Sequence, residues 1–327
     1  MVDAAPLNAC SVACDVCGGR DVEELSRVDR HGKFLRTVIC RRCGLVYSDP
    51  RPNTDQVREY YERNYRIDYK ATYQPKPKHV RRAGKVAVTR VSRLRDLLKR
   101  GHRILDFGAG GGEVVYVLRT LGYDASGFEP NEGYARFASE VLKLPVTHGF
   151  YQDAHVVESS LDVITAFHVF EHLESPQDAL RHAWNWLRVG GHIWVEVPNV
   201  EATCQWPRSR FHHAHLYNFN PATLEGVGKR VGFSVSKTFV SRDGGNLTVV
   251  FQKTAERPAF TGEIPGNWQR VSNIVTRHTA LRHLFKADPY LRPFRKLALR
   301  WEEKRAGAVA RSPQEILDAL VAAELPQ

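Results

Sequence analysis

A glycine-rich turn flanked by two acids is the first feature of this sequence with the residue types for ligand binding. The run 103–107 is mostly apolar and reads as a buried strand; glycines and a helical pattern follow it. Gly108 and Gly110 let the backbone approach a ligand closely, and the helix start offers free N–H groups. Glu129 lies 21 residues after Gly108, close to the spacing at which nucleotide-binding βαβ units place an acid on ribose hydroxyls. Asp106 precedes the turn, so the stretch predicts a nucleotide-type ligand.

A second group of chemical side chains follows a later strand, 162–167. His168, Glu171 and His172 stand at positions i, i+3 and i+4, so one helical turn would place all three on one side. Ligands of doubly wound sheets bind beyond the carboxyl ends of the strands, which is where this group falls. Histidine has the pKa best suited to a general base.

The loop 199–220 adds more histidines and aromatic residues. It is expected to fold over the same edge of the sheet, with Trp206, Phe211 and Tyr217 as apolar walls and His212, His213 and His215 as polar groups. We predict that one histidine, His172 or His213, acts as a general base and takes a proton from the substrate, called the acceptor below. Glu171 is predicted to orient that histidine. His168 completes the predicted catalytic set.

Four cysteines form two C-x-x-C pairs, Cys14 with Cys17 and Cys40 with Cys43. The 22 residues that separate the pairs are close to a zinc-ribbon spacing, and the segment between them alternates as a short hairpin would. A redox dithiol is the rival, but neither pair has the βαβ context that it needs. The pattern therefore predicts one structural zinc ion, with Cys10 and Cys204 as ordinary thiols.

The charge is strongly basic and unevenly distributed. The 327 residues carry a net charge of +11, and 43% of them are apolar. Residues 61–103 hold 14 lysines and arginines against three acids, and residues 253–311 hold 13 against five. Basic flanks indicate an anionic partner: nucleic acid, a membrane surface or a phosphorylated substrate. No run is long enough to span a membrane, and residues 1–13 lack the form of a signal peptide, so a cytoplasmic location is expected.

Strands and helices alternate regularly through the middle of the chain. Strands are predicted at 103–107, 125–129, 145–148, 162–167, 192–197, 234–241 and 247–252, and helices at 55–65, 80–100, 112–121, 131–142, 176–188 and 221–231. This series predicts an α/β fold with a doubly wound, Rossmann-like sheet of seven strands whose last strand is antiparallel.

The glycine turn departs from the dinucleotide fingerprint, because Glu113 occupies the slot of its third glycine. An acid such as Asp106 also suits a cationic ligand better than a pyrophosphate. The D-x-G-x-G pattern with Glu129 in register resembles the class I S-adenosylmethionine-dependent methyltransferases. A dehydrogenase is the weaker alternative. The predicted set of cofactor-binding residues is Asp106, Gly108, Ala109, Gly110, Glu129, Pro130, Phe150, Phe167 and His168.

The run from Cys40 to Pro52, C-x-x-C-G-L-V-Y-x-x-P-R-P, resembles the N-terminal module of bacterial methyltransferases of sugar and polysaccharide biosynthesis. That group includes the zinc-bearing deoxysugar C-methyltransferases. The string His168-Val-Phe-Glu-His-Leu173 is similar to the family's motif after the fourth strand, whose first residues border the methionine part of the cofactor. The resemblance implies methyl transfer to a sugar that is either linked to a nucleotide or part of a glycan. The acceptor is expected to be anionic. A tyrosine cluster at 60, 61, 65, 69 and 73 fits either sugar stacking or domain packing.

Two other functions stay open. Ubiquinone-pathway O-methyltransferases and small-RNA 2′-O-methyltransferases carry E-x-x-E-H at this point, with a divalent ion on carboxylates and histidines; Glu171 and His172 match that string, and His168 replaces its first glutamate. A metal-assisted enzyme acting on RNA or on a small phenol is therefore the alternative. A non-catalytic binding protein is the third hypothesis. The acceptor atom is open between oxygen, carbon and nitrogen, and the oligomeric state is open too.

The predicted domain boundaries follow from these patterns. A zinc-ribbon module covers 1–52, a helical linker 53–100, the S-adenosylmethionine-binding domain 101–255, and a basic helical extension 256–327.

Overall fold

The computed structural model describes residues 9–64, 74–285, 290, 297 and 312–325. The strands are β1 (Val22–Val28), β2 (Phe34–Cys40), β3 (Val46–Ser48), β4 (Arg103–Phe107), β5 (Asp124–Glu129), β6 (Val146–His148), β7 (Leu161–Phe167), β8 (Leu187–Pro198), β9 (Tyr217–Asn218), β10 (Ser234–Val240) and β11 (Asn246–Gln252). The α-helices are α1 (Thr54–Glu59), α2 (Pro77–Leu94), α3 (Glu113–Thr120), α4 (Glu132–Arg136), α5 (Pro176–Trp186), α6 (Pro221–Val231), α7 (Asn267–Arg277), α8 (Ala280–Leu284) and α9 (Pro313–Glu324).

A seven-stranded sheet carries the fold, in the order β10-β11-β8-β7-β4-β5-β6. The pairs β4–β5, β4–β7 and β5–β6 are parallel, whereas β11 runs antiparallel to both β8 and β10. This arrangement confirms the predicted doubly wound sheet with an antiparallel last strand, the methyltransferase form of the α/β fold. The alternation of apolar strands with amphipathic helices was sufficient to identify it.

Element boundaries differ from the predicted ones in a few places. The helix predicted to end at 188 ends at Trp186, and β8 begins at Leu187 rather than at 192. The exposed residues 188–190 at its start carry Gly190 with φ +84°. The helix predicted at 131–142 is α for one turn and π over Phe137–Val141, and a π segment over Tyr60–Asn64 likewise follows α1. Tyr60 and Tyr61 make an edge-to-face ring contact at 5.3 Å; Tyr65, Tyr69 and Tyr73 lie outside the described residues.

Two compact units divide the chain. The first comprises the described residues within 1–57, 167–184 and 192–294, and the second those within 58–166, 185–191 and 295–327. The boundaries predicted from the sequence remain a prediction. Among the described residues, no helix is long and apolar enough to cross a membrane.

The first unit contains a small antiparallel sheet with the strand order β1-β2-β3-β9. Cys40, of the second cysteine pair, is the last residue of β2. The first three strands of this sheet come from the N-terminal segment, but the fourth, β9, comes from the histidine-rich loop: Val46 pairs with Asn218 and Tyr47 with Tyr217. A core of apolar side chains supports this sheet, namely Ile39, Val46, Val200, Phe211 and Val271. The histidine-rich loop therefore contributes a strand to this small sheet. The pairing joins residues far apart in the sequence, so no local pattern could indicate it.

In the second unit the C-terminal helix packs on the basic helix. A Cβ at Gly84 of α2 would lie 2.6 Å from Leu317 and 2.8 Å from Leu320 of α9, so only a glycine allows this close approach. The final described helix is thus an integral part of this unit.

Candidate functional site

The predicted cofactor loop is a tight turn between β4 and α3. Gly108 and Gly110 have φ of +75° and +57°, values that an L side chain rarely adopts. Asp106, one residue from the end of β4, is buried, and its Oδ1 accepts a 2.7 Å hydrogen bond from the hydroxyl of Thr165 on β7. Burial raises the pKa of Asp106 to about 6, although the Thr165 hydrogen bond opposes the shift.

Glu129 closes the turn from the end of β5. Its carboxylate is buried and accepts hydrogen bonds from the backbone N–H of Gly110 at 2.8 Å and of Asn131 at 3.1 Å. Gly127 permits this approach, because a Cβ there would lie 2.8 Å from the Cβ of Ala109. A carboxylate oxygen can accept from a backbone N–H and from a ligand hydroxyl at the same time. The geometry therefore suits ribose recognition.

The remaining predicted cofactor residues differ in exposure. Ala109 is buried beneath the turn, whereas Pro130 and Phe150 are half-buried. The Arg58 guanidinium lies 4.7 Å from the centre of the Phe150 ring, a cation–π contact. Phe167 is also half-buried. It is the last residue of β7 and the only residue of that strand assigned to the first unit.

In the first unit, three of the predicted catalytic residues lie together around one buried carboxylate. Glu171 Oε1 is 3.2 Å from His168 Nδ1 and 3.8 Å from His172 Nε2. Burial alone would raise the pKa of Glu171, but His172, His168 and His215 outweigh it and lower the value to about 2. Glu171 is thus an anion at neutral pH. Its Oε2 is buried and has no hydrogen-bond partner in the described part of the chain.

The tautomer of His172 is set by a backbone contact. Its Nδ1 lies 2.7 Å from the carbonyl oxygen of Ala214, which can only accept, so Nδ1 carries a proton. In the neutral ring Nε2 is therefore the unprotonated nitrogen, on the side of Glu171. This is the arrangement of a general base with an orienting partner.

Glu196 on β8 is a member of the site that the sequence did not reveal. It is buried, and its Oε1 lies 3.5 Å from His168 Nε2. The backbone N–H of His168 donates to the Glu196 carbonyl oxygen at 2.8 Å and holds His168 at φ +57°, a strained value for a residue with a Cβ. The alternating apolar pattern of β8 predicts only a strand at position 196. It gives no sign that the Glu196 side chain belongs to a site.

The histidines of the loop do not act alike. Burial lowers the pKa of His212 to about 2 and that of His215 to about 3, so both are neutral. His212 Nδ1 accepts from the Ala214 N–H at 3.0 Å, and the His215 ring lies 5.0 Å from that of His172. The loop thus contacts His172 as predicted.

His213 is placed elsewhere. Its side chain is 44% exposed, and its Nδ1 lies 3.7 Å from Oδ2 of the buried Asp29 rather than beside Glu171. Asp29 belongs to the turn between β1 and β2, far away in the sequence, so it too was missed.

The predicted apolar walls are largely structural. Phe211 packs in the core of the ribbon sheet, and Tyr217 is 1% exposed. Only Trp206, 39% exposed, presents its ring to solvent. Phe211 and Tyr217 are therefore core residues of the first unit rather than exposed walls of a site.

The four predicted cysteines converge. Their sulfur atoms all lie within 4.8 Å of one another, with 3.4 Å between Cys14 and Cys43 and between Cys17 and Cys40. Tetrahedral zinc at about 2.3 Å from each thiolate needs sulfur–sulfur distances of roughly 3.8 Å, so the group fits that ion. A hydrogen bond from Cys14 lowers the pKa of Cys17 to about 7.

The cysteine module also holds the chain that follows His172. Asp15, inside the first pair, accepts from Ser175 Oγ at 2.9 Å and from the Gln177 N–H at 2.8 Å, and so caps α5. Arg51 donates to the Glu174 carbonyl oxygen at 2.6 Å. The turn bearing Glu171 and His172 is therefore tied down by the N-terminal segment.

Comparisons with known proteins agree with the fold. A family model described as a methyltransferase domain matches residues 79–238, from α2 to β10. A "Probable S-adenosylmethionine-dependent methyltransferase" of Mycolicibacterium smegmatis is 24% identical over 148 residues, 45% of this chain and 58% of that protein. The ubiquinone biosynthesis O-methyltransferase of Proteus mirabilis is 31% identical over 108 residues, 30% of this chain and 43% of that protein.

The chain thus spans about half the length of these curated relatives. Among solved structures, a SAM-dependent methyltransferase of Archaeoglobus fulgidus is 19% identical, with a TM-score of 0.45, and covers 52% of this chain and 94% of that one. The family match to residues 79–238 coincides with the glycine turn, Asp106 and Glu129. Over residues 79–238 the chain is therefore similar to the S-adenosylmethionine-dependent methyltransferases.

Proposed function

We propose that the protein transfers the methyl group of S-adenosylmethionine to a hydroxyl group of a sugar acceptor, with His172 as the general base. The observation that carries this proposal is the buried pair of Glu171 and His172, with the His172 Nδ1 proton fixed by the Ala214 carbonyl oxygen. The similarity to the ubiquinone biosynthesis O-methyltransferase of Proteus mirabilis supports oxygen as the acceptor atom.

The donor is held by the turn after β4. Glu129 would accept from the ribose hydroxyls, Gly108 and Gly110 would allow close approach of the backbone, and Asp106 would offer a negative charge to the cationic donor. S-adenosylmethionine supplies an electrophilic methyl group on a sulfonium sulfur. The protein then has to hold donor and acceptor in line and to remove the acceptor's proton.

His172 removes that proton through Nε2. The acceptor hydroxyl would donate to the unprotonated Nε2, which would take its proton while the acceptor oxygen bonds to the methyl carbon and the bond from that carbon to the donor's sulfur breaks. The imidazolium that results is stabilised by the Glu171 carboxylate at 3.8 Å. The second oxygen of Glu171, which is buried and has no partner in the described ranges, accepts another acceptor hydroxyl.

A sugar acceptor is supported by the resemblance of the run 40–52 to sugar methyltransferases and by the polar character of the cluster. Three histidines and two buried carboxylates suit an acceptor with several hydroxyls better than an apolar one. The basic charge of the chain fits an acceptor that bears phosphate.

The test is a comparison of histidine variants in labelled-methyl turnover. His172→Ala should lower kcat by about 10²–10⁴-fold and leave donor affinity nearly unchanged, because the base acts only in the transition state. His155→Ala, an exposed histidine outside the cluster, is the matched control. Wild-type turnover by His172→Ala would contradict the assignment, and a comparable loss in His213→Ala alone would move the base to His213.

A metal-assisted O-methyltransferase is the second candidate. One ligand atom each from Glu171, His172 and His215 lies within 4.8 Å of the others, a spacing suitable for one ion. Two imidazoles and one carboxylate suit a transition metal better than Mg²⁺. Such an ion would supply Lewis-acid activation of the acceptor oxygen. Loss of turnover on chelation that divalent ion restores would support this mechanism over the simple base.

We also propose that Cys14, Cys17, Cys40 and Cys43 hold a structural zinc ion. Four thiolates leave no coordination position open for catalysis. Because Asp15 lies between two of these cysteines and caps α5, zinc would stabilise the turn that carries Glu171 and His172.

A further inference from the structure

Helix α8 exposes apolar side chains and buries a polar one. In a surface helix of a folded domain the apolar side chains normally face inward and the polar ones outward. Here Leu281, Leu284 and Phe285, spaced i, i+3 and i+4 on one face, are 67%, 44% and 85% exposed. His283, the polar residue between them, is 2% exposed.

The inverted orientation is held by buried polar contacts. His278 Nε2 lies 3.1 Å from His283 Nδ1, and an Arg210 guanidinium nitrogen lies 2.7 Å from His278 Nδ1. The ring of Trp206 meets that of His283 edge to face at 5.3 Å. These contacts fix which face of α8 points outward, so the exposure of Leu281, Leu284 and Phe285 is specified by the fold.

The apolar face carries a charge of one sign. The described residues of α8 and of the turn before it include Arg277 and Arg282 and no acid. Arg277 and Arg282, which flank the face, are both exposed. Tyr290, 59% exposed, donates its hydroxyl to the Leu284 carbonyl oxygen and adds an aromatic ring next to the face.

We propose that this surface, formed by Leu281, Leu284, Phe285, Arg277 and Arg282, binds an anionic membrane surface. Apolar side chains on one face with arginines around them are the composition of an interfacial helix, which inserts its apolar face at the boundary of headgroups and acyl chains. Each arginine gains from the negative potential of anionic lipid.

Charge and side-chain type favour this partner over two others. A second copy of the chain docked on the same face would place the arginines of both copies in one interface with no described acid on α8 to offset them, which is repulsive. Single-stranded nucleic acid could stack on Phe285 and Tyr290, but Leu281 and Leu284, two of the three apolar side chains of the face, offer no ring for a base. Aliphatic and aromatic side chains beside arginine are accommodated together by an anionic lipid surface.

The test is co-sedimentation of the full chain with vesicles of phosphatidylcholine alone or with phosphatidylglycerol added. We expect binding to the anionic vesicles that weakens as salt is raised, since the cationic contribution is screened. The double variant Leu281→Ser/Phe285→Ser should lower the partition coefficient by about tenfold or more, as should Arg277→Gln/Arg282→Gln. Val157→Ser, at a 71% exposed valine elsewhere, is the matched control and should bind as the wild type does.

The variants change exposed side chains, so their melting temperatures should match the wild type, and a binding defect can be assigned to the surface itself. The proposal is overturned if the anionic vesicles do not retain the protein, or if they retain the Leu281→Ser/Phe285→Ser variant as well as the wild type. It is equally overturned if that variant loses self-association or binding to a single-stranded RNA while its vesicle binding is unchanged. Methyl transfer plays no part in any of these measurements, so they stand apart from the proposed reaction.

Discussion

Replacing Glu129 by alanine should weaken donor binding and should also lower folding stability. The buried carboxylate accepts from two backbone N–H groups, of Gly110 at 2.8 Å and of Asn131 at 3.1 Å, and is proposed to accept from the ribose as well. Hydrogen bonds to a charged group are worth about 1.5–3 kcal/mol. Loss of the ribose contacts should therefore raise the donor Kd by roughly 10–150-fold.

Folding stability should fall as well. In Glu129→Ala the two N–H groups lose their acceptor, and a buried donor without a partner costs about 1–3 kcal/mol unless water replaces the lost oxygen. Glu129→Gln keeps the shape of the side chain and one accepting oxygen, but presents an NH₂ group to one of the two N–H donors. Its stability should lie between those of the wild type and of Glu129→Ala.

The assay is calorimetric titration with S-adenosylmethionine on protein shown to be folded by its melting curve. Glu140→Ala is the matched control, because Glu140 is exposed and pairs only at the surface with Arg136. Its donor Kd should equal the wild-type value. Wild-type affinity in a folded Glu129→Ala protein would refute the reasoning from the glycine turn.

Three further predictions concern the zinc group, the buried acid and one glycine. Freshly purified protein should contain one zinc per chain by metal analysis, and replacing Cys14 and Cys17 by serine should release it; full retention would count against the site. Burial raises the pKa of Asp106 to about 6, so donor affinity should fall as pH drops through 6, by up to about tenfold per pH unit, and Asp106→Asn should remove this dependence in titrations. Gly44→Ala should lower the unfolding free energy by more than about 1 kcal/mol in denaturant titrations, because φ is +77° and the new Cβ would lie 2.5 Å from a side-chain atom of α7. Gly101→Ala, with φ +83° and open space, is its control; equal losses in both would show that strain alone acts.

The main sheet could be predicted from the sequence because its signals are local. Apolar strands, glycine turns and helical periodicity recur in order, and Asp106, Gly108, Gly110 and Glu129 lie at spacings that the βαβ geometry dictates. The cysteine pairs are equally local, since each C-x-x-C pair is a single tight turn.

The parts that were not predicted depend on long-range pairing. Glu196 and Asp29 reach the histidines from β8 and from the β1–β2 turn, and nothing in their neighbouring residues marks them as polar members of a site. The Ala214 carbonyl oxygen that fixes the His172 tautomer is a backbone atom, which carries no side-chain signal. The strand β9 is only two residues long, too short for a periodic pattern.

The outward apolar face of α8 could not be anticipated for a related reason. Periodicity alone assigns Leu281, Leu284 and Phe285 to the interior. The structure reverses this orientation because Arg210 and His278 provide buried polar partners for His283. Which face of a short helix is buried depends on what its neighbours offer.

The most direct test of the central claim is mass spectrometry of acceptors after reaction with S-adenosylmethionine that carries an isotopically labelled methyl group. The purified chain is incubated in parallel with a nucleotide-sugar pool and with RNA, next to His172→Ala. We predict a labelled methyl group on a sugar-bearing small molecule in the wild-type reaction. In His172→Ala the amount of labelled product should fall by about 10²–10⁴-fold. A label found on RNA alone, or equal labelling of the sugar pool by His172→Ala and the wild type, would contradict it.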